Sequence, residues 1–209
     1  MKTNKILYLG AEAEIKTSVY LGLSAVEKRR IRKSYRIPEI DHMLISARTK
    51  EESKLIMEAR IQGVAVPIIY DVDIKNGIIT MEYLEGHRIK DIIHRLDEKE
   101  RKRICEKIGE SIARLHNNDI IHGDITTSNM ILVDDTIHFI DFGLGCKDSE
   151  IEAKGVDLHV LMEAFSSTHS QYPKCFDYVL DGYKKRFQGD ADVICKKIEE
   201  IVRRGRYRT

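Results

Sequence analysis

The sequence lacks what a membrane, an export route or a disulfide scaffold would need. No apolar run approaches the roughly 18 residues that a membrane-spanning helix requires. The apolar run inside the opening MKTNKILYLGAEAE is too short for a signal peptide. The four cysteines, Cys105, Cys146, Cys175 and Cys195, lie far apart and form no CxxC pair. That spacing gives no zinc site and no disulfide framework, so buried, reduced thiols are expected. An intracellular location follows, most simply the cytosol. Low-complexity segments and internal repeats are also missing, and only Pro38, Pro67 and Pro173 interrupt the chain as prolines. Charge of one sign is not in excess. The 35 Lys and Arg against 34 Asp and Glu leave a net +1, which makes no global field.

What is present is a chain of 209 residues, 42% hydrophobic and 33% charged. It is long enough for one large domain or for two small lobes sharing a cleft. Its charge is local. KRRIRKSYR (28–36) carries six basic residues in nine, and RRGRYRT (203–209) carries four arginines in seven.

Strand signals come first. KILYLG and IKTSVYLG read as two strands around a short turn, and SAVEKRR as a third. SARTKEESKLIMEARIQG then reads as a helix ending at Gly63. Leu55, Ile56 and Ala59 lie three, four and seven residues after Glu52, which places Glu52 on the apolar, inward face. A carboxylate there wants a cationic partner. VPIIYDVD and GIITMEYLEG suggest a hairpin turning at Asn76-Gly77. A capping box, Asp97 with Glu100, opens a helix striped by Ile104, Ile108, Ile112 and Leu115. NMILVDDTIHFIDFG reads as two short strands joined at Asp134-Asp135 and closed by Asp141-Phe142-Gly143. The remainder is helical, with the last helix running from about Asp190 to Arg204. Strands before helices predict an α+β bilobal fold, with residues 1–82 as a β-rich lobe and 83–209 as a helical lobe.

The chemistry concentrates in IHGDITTSN (121–129). Asp124 and Asn129 stand five apart, as base and metal ligand do in the H-R-D-x-x-x-x-N catalytic loop of eukaryotic-type kinases. Gly123 replaces the Arg. Taken alone, IHGD is a polar turn, and D-F-G is a triplet that chance supplies. Their joint order, with two strands between them, points to phosphoryl transfer. Magnesium prefers hard oxygen ligands, which Asp141 and the amide oxygen of Asn129 offer. Asp124 would accept the proton of an attacking hydroxyl or orient a water. Lys28 is the candidate for the α- and β-phosphates. In isolation it reads as a solvated lysine of a basic run, but a pair with Glu52 explains both residues. The loop LGAEAEI (9–15) holds the phosphate-covering position with a single glycine, Gly10. Backbone amides approach phosphate there if Ala11 and Ala13 leave room. Glu12 and Glu14 must then point away. Leu9 and Ile15 would cover one adenine face, Ile131 the other, and the backbone of Glu82 and Leu84 the adenine edge. The same apolar residues also suit an ordinary core.

Gly10-Ala-Glu-Ala13, HGDITTSN (122–129), FIDFGLG (139–145), KGVDLHVLMEAFSSTH (154–169) and RRGRYR (203–208) together resemble the PRPK-type small atypical kinases. These are the kinase subunits of the KEOPS (EKC) complex and are related to the RIO kinases. The resemblance spans essentially the whole chain. It implies a small bilobal protein-kinase-like fold with a reduced activation segment, ATP and Mg2+ as cofactors, and serine/threonine kinase and ATPase activity. It implies a role in forming N6-threonylcarbamoyladenosine at tRNA position 37. The implied partners are the ASKHA-fold threonylcarbamoyl transferase subunit, a small subunit bound to the N-lobe, and tRNA. By position, Lys28 and Glu52 match the phosphate-pairing Lys and its helix partner, Asp124 the catalytic Asp, and Asn129 and Asp141 the metal ligands. Asp157 matches the buried Asp that holds the catalytic loop. Arg203, Arg204, Arg206 and Arg208 are tRNA-contact candidates; a solvated helix end is the plain alternative. Glu27 departs from the pattern, where an aliphatic residue is usual, and should face away from the nucleotide. Met1 close to the first strand suits the stand-alone form of a family that also occurs as fusions.

Only thirteen residues separate Gly143 from Asp157, and no A-P-E occurs. A long peptide-docking segment cannot be built from them. Two other readings compete: a small-molecule phosphotransferase of the aminoglycoside or choline type, and a non-enzymatic nucleotide-binding scaffold. The first needs a larger helical substrate domain. Intact Lys28, Asp124, Asn129 and Asp141 argue against the second.

Overall fold

The computed structural model describes residues 5–206. Its N-terminal part is an antiparallel sheet of β1 (Ile6–Leu9), β2 (Ala13–Tyr20), β3 (Leu23–Arg30), β4 (Ile69–Asp73) and β5 (Ile78–Glu82), with helix α1 (Pro38–Ile61) between β3 and β4. The strand order is β1-β2-β3-β5-β4. After β5 come β6 (His87–Arg88), α2 (Ile89–Ile92), α3 (Glu98–His116), β7 (Ile120–Ile121), β8 (Met130–Val133), β9 (Thr136–Phe139), β10 (Cys146–Lys147), α4 (Ile151–Thr168), α5 (Cys175–Arg186) and α6 (Ala191–Arg206). This is the expected β-rich region followed by a helical one.

Helix α1 begins at Pro38, eight residues before the expected start. Pro38 supplies a preset φ at the first helical position, where its missing N–H costs nothing. Asp41 in the first turn accepts from the Lys33 amide and pairs with Arg36 at 3.2 Å, fastening the basic β3–α1 loop to the helix. No side chain caps this helix, so the usual sequence signal is missing. Helix α3 starts where the capping box places it: Glu100 N–H donates to the Asp97 carboxylate at 2.8 Å.

One apolar core joins the two parts. Leu55, Ile56 and Ala59 of α1 meet the α3 stripe of Ile104, Ile108, Ile112 and Leu115, then Phe139, Phe142, Leu158 and Leu161. Each fully buried Ile or Leu contributes roughly 1.5–3 kcal/mol against exposure, as an upper bound. Helices α3 and α5 touch backbone to backbone. A Cβ at Gly109 would lie 1.9 Å from the Val179 carbonyl oxygen, and one at Gly182 would lie 2.0 Å from that of Glu106. That approach fixes the lower scaffold on which the catalytic loop rests. Cys105 and Cys175 are buried thiols as expected, but Cys146 is exposed because β10 runs on the surface, and Cys195 is half-buried. Among the described residues no helix is long and apolar enough to cross a membrane.

Candidate active site

A cleft of about 460 Å³ lies between the sheet and the helical part, within the range of small-molecule sites. Its floor is the 121–129 loop, through Asp124, Thr126, Ser128 and Asn129. Asp157, on α4 and 1% exposed, accepts from the backbone N–H of His122 and of Gly123, each at 2.9 Å. His116 donates from Nε2 to the same carboxylate at 3.2 Å and accepts from the Tyr183 hydroxyl at 3.1 Å. Burial would raise the Asp157 pKa, but the His116 hydrogen bond and the neighbouring donors outweigh it and hold the group below the ordinary carboxylate range. Asp157 thus bonds the loop at two successive backbone N–H groups.

Gly123 has φ +81, and a Cβ there would lie 2.3 Å from the Leu144 carbonyl oxygen. The segment after Asp141-Phe142-Gly143 folds straight back, pairing β10 with β7 (Cys146 with Ile121, Lys147 with Ile120). An arginine at 123 has no room here. Asn129 donates its amide N–H to the Asp124 carboxylate at 2.8 Å and to the Asp124 carbonyl at 3.0 Å. This leaves the Asn129 amide oxygen free for a cation. Thr127 shares a 2.9 Å hydrogen bond with His169 at the end of α4.

Across the cleft, Lys28 Nζ bridges Glu52 Oε1 at 2.5 Å and Asp141 Oδ1 at 2.6 Å. Burial pulls the Lys28 pKa down, but the two carboxylates overcome it and hold it above the usual lysine value. Burial likewise opposes ionisation of Asp141, yet Lys28 and the Gly143 N–H keep its pKa below the ordinary range. Asp141 has φ +65, a left-handed conformation uncommon for a residue with a side chain and characteristic of functional positions. Glu52 has a second partner, Arg30, whose guanidinium meets Oε2 at 2.5 Å.

Ile15, Lys28, Glu52, Glu82, Leu84, Asp124, Asn129, Ile131 and Asp141 all line this one cleft. Leu9 does not: it is 66% exposed. The β1–β2 register shifts between Ile6 and Tyr8, so Tyr8 pairs with Ile15 and Leu9 with Glu14. Glu14 is on the sheet face away from Lys28, and Leu9 shares it; Leu7 and Tyr8 line the cleft instead. Gly10, Ala11, Glu12 and Ala13 are also outside the lining. Lys33 donates to the Ala11 carbonyl, and Arg48 pairs with Glu12 at 2.8 Å, turning that carboxylate toward α1. Ala13 is buried opposite Arg30. Glu27 faces away, paired with Lys16 at 3.0 Å. Val26, Met81 and Ile140 complete the apolar walls, and Arg88 and Lys90 the rim.

Strand alternation was a usable signal for Arg30, which shares its face with Lys28. No sequence signal marked His116, because a lone histidine on an apolar helix reads as core. Arg203 and Arg204 are on α6, away from the cleft lining. Arg203 lies 3.8 Å from Glu199, and Arg204 lies 2.7 Å from Glu152. Arg206 closes that helix, and Arg208 lies outside the described residues.

Residues 32–168 match the model of the protein kinase domain. The KEOPS complex subunit Bud32 of Pyrococcus abyssi is 45% identical, over 98% of this chain and 96% of its own length. Probable bifunctional tRNA threonylcarbamoyladenosine biosynthesis proteins of Methanobrevibacter smithii and Methanothermobacter thermautotrophicus are 45% and 46% identical; the match covers 98% and 97% of this chain but only 37% and 36% of those proteins. Among solved structures, the Rio2 kinase–ADP/Mg2+–phosphoaspartate complex from Chaetomium thermophilum aligns with a TM-score of 0.64 at 16% identity, over all of this chain and 72% of that one. WaaP in complex with acyl carrier protein aligns at 0.66 and 13% identity, over 94% and 87%. At such identities the two structures speak for the fold alone. The chain belongs to the protein kinase family, in the branch of the KEOPS complex subunit Bud32.

Proposed function

We propose that this protein is an ATP-dependent atypical serine/threonine kinase and ATPase that works within a KEOPS complex in forming N6-threonylcarbamoyladenosine at tRNA position 37. One observation carries the catalytic part: Lys28 bridges Glu52 and Asp141 across a cleft whose floor presents Asp124 and Asn129. Lys28 would bind the α- and β-phosphates, and Glu52 orients it. The adenine would lie between Ile15 and Ile131, with the backbone of Glu82 and Leu84 at its edge. Magnesium suits the donor set, because Asp141 and the Asn129 amide oxygen are hard oxygen donors. Such an ion would neutralise charge on the transferred group. Asp124, oriented by Asn129, takes the proton of the attacking hydroxyl or positions a water.

The names of the relatives supply the setting: the KEOPS complex for Bud32, and threonylcarbamoyladenosine biosynthesis for the bifunctional proteins. The proposed partners are the ASKHA-fold transferase subunit, a small subunit on the N-lobe, and tRNA reached through Arg203, Arg204, Arg206 and Arg208, all in the cytoplasm. The short β10 return leaves no peptide platform, so water or a bound partner is favoured as acceptor over free peptides.

ATP turnover measured with and without transferase and tRNA tests this. Asp124→Ala should lose about 10²-fold or more of the rate and keep nucleotide affinity. Asp141→Ala should lose turnover and magnesium-dependent affinity together. Full hydrolysis by either variant overturns the assignment. Removing residues 203–209 should weaken tRNA binding and flatten its salt dependence; an unchanged salt slope removes the arginines from the proposed tRNA contact.

A further inference from the structure

Arg30 is 7% exposed, yet it carries a full charge. Its terminal nitrogen meets Glu52 Oε2 at 2.5 Å, while Lys28 holds the other oxygen, Oε1, at 2.5 Å. The Arg30 Nε is buried with no hydrogen-bond partner. A buried guanidinium left partly unsatisfied is costly, and an apolar side chain of similar volume would pack there without that cost. Packing therefore does not account for Arg30; its charge does.

The charge has a direction. Lys28 and Arg30 lie on the same face of β3, and a Cβ at Gly143 would be 3.4 Å from both Lys28 Nζ and the Arg30 terminal nitrogen. Both cations thus stand behind the turn that presents Asp141. Lys28 between the Glu52 and Asp141 carboxylates sums to −1. Arg30 brings the four groups to zero. Arg30 itself does not line the cleft, nor do Gly10, Ala11 and Glu12 of the β1–β2 loop; its charge bears on the cleft through Glu52.

We infer that Arg30 is a positioning residue of the phosphate site that acts through Glu52, offsetting one of the two carboxylates on Lys28 so that the site is not net negative toward the triphosphate. It supplies positive field where the single-glycine loop supplies few amides. This rests on the nucleotide reading above and deepens it.

Calorimetric titration of adenosine, ADP and Mg–ATP into the full chain tests the inference. Wild-type binding of ATP is measured first. Its absence overturns the nucleotide reading and this one with it, whereas affinities that do not vary among the variants overturn this one alone. Arg30→Met should weaken ATP about tenfold, the scale of one unit charge acting through protein at short range. ADP should suffer less, and adenosine less than about twofold. Arg30→Lys should recover most of the loss. The double variant Arg30→Met with Glu52→Gln returns the local sum to its wild-type value of zero and should restore the ATP-to-adenosine ratio, although Glu52 is then neutral. It leaves no buried unpaired charge, so it decides the question even if Arg30→Met does not fold. Equal losses for adenosine and ATP would mean a structural role only. A tenfold lower ATP-to-adenosine ratio in the double variant would mean that geometry, not charge, is at work.

Discussion

The two loops that close the cleft are held in opposite ways. The catalytic loop is fixed from below by buried groups: Asp157 takes two of its backbone N–H groups, His116 and Tyr183 secure Asp157, His169 bonds Thr127, and Asn129 aims Asp124. The β1–β2 loop closes on itself through Gly10 N–H to the Ala13 carbonyl and is tied to the chain after β3 through Ile31 N–H to the Glu12 carbonyl, each at 3.0 Å. Its side-chain ties, Lys33 to the Ala11 carbonyl and Arg48 to Glu12, are at the surface. Buried, fully bonded networks hold one geometry, whereas exposed ion pairs exchange with water at little cost. The proposed reacting groups, Asp124 and Asn129, are therefore preset, and the loop over the proposed nucleotide site is the more adjustable of the two. A partner acting on the β1–β2 loop is the proposed route of control: Gly123 in place of Arg, with β10 folded back on β7, offers no charged anchor at position 123 for a phosphorylated segment.

The contrast breaks most severely at Gly123. Gly123→Ala places a methyl 2.3 Å from the Leu144 oxygen at φ +81. The left-handed backbone alone costs about 1–2 kcal/mol for a side chain, and the clash adds to it. A total near 3 kcal/mol would lower Tm by roughly 6–12 °C for a chain of this size. Turnover should fall with it, since Asp124 follows directly. A variant melting like wild type would show that Leu144 yields freely and that the loop is less fixed than described.

Next comes Asp157→Asn, which keeps the shape and removes the charge. Losing charge-assisted bonds in a buried site should cost about 2–3 kcal/mol at neutral pH. The pH profile carries the sign. The folded pKa of Asp157 is depressed, so its contribution is complete above the unfolded value, about 3.9, and fades as pH falls through the folded value. Wild type should lose stability steeply below about pH 4, and the variant should lose less over that window. Parallel acid-unfolding curves would remove Asp157 from the network.

The same division explains what the sequence disclosed. The meeting of Asp124 and Asn129 in the cleft was legible because both lie in one short segment, and their spacing survives any register. Lys28 and Glu52 were legible through helix and strand faces. The cover was not. A bulge between Ile6 and Tyr8 exchanges Leu9 for Tyr8 in the cleft, and one-residue shifts leave no trace in composition. Helix α1 hid its first eight residues because Ile37 offers no side-chain cap. The two-residue strands β6, β7 and β10 are too short to show a period.

A smaller break lies at the edge of the network. Thr127→Val removes the hydroxyl that meets His169, a side chain 3% exposed. About 1–2 kcal/mol of stability should go. Turnover should drop several-fold with nucleotide affinity unchanged, because the 3-10 turn carrying Asn129 loosens while Lys28 and the adenine walls do not. Matching losses in rate and affinity would place Thr127 at the nucleotide itself.

The smallest effect belongs to the cover. Glu12 and Arg48 pair at 2.8 Å, but their side chains are 54% and 41% exposed. Such a pair is worth at most about 1 kcal/mol and is screened by salt. Glu12→Ala should therefore leave Tm within about 2–4 °C of wild type. Its effect on nucleotide binding has a definite sign. The variant removes a negative charge at the mouth of an anion site and frees Arg48, so ATP affinity should rise slightly at low salt and return to the wild-type value near 0.5 M, where the Debye length is roughly 4 Å. A loss of affinity at every salt concentration would show that the Arg48–Glu12 tie holds the loop in its binding position. In that case the cover is as fixed as the catalytic loop, and control would have to enter elsewhere.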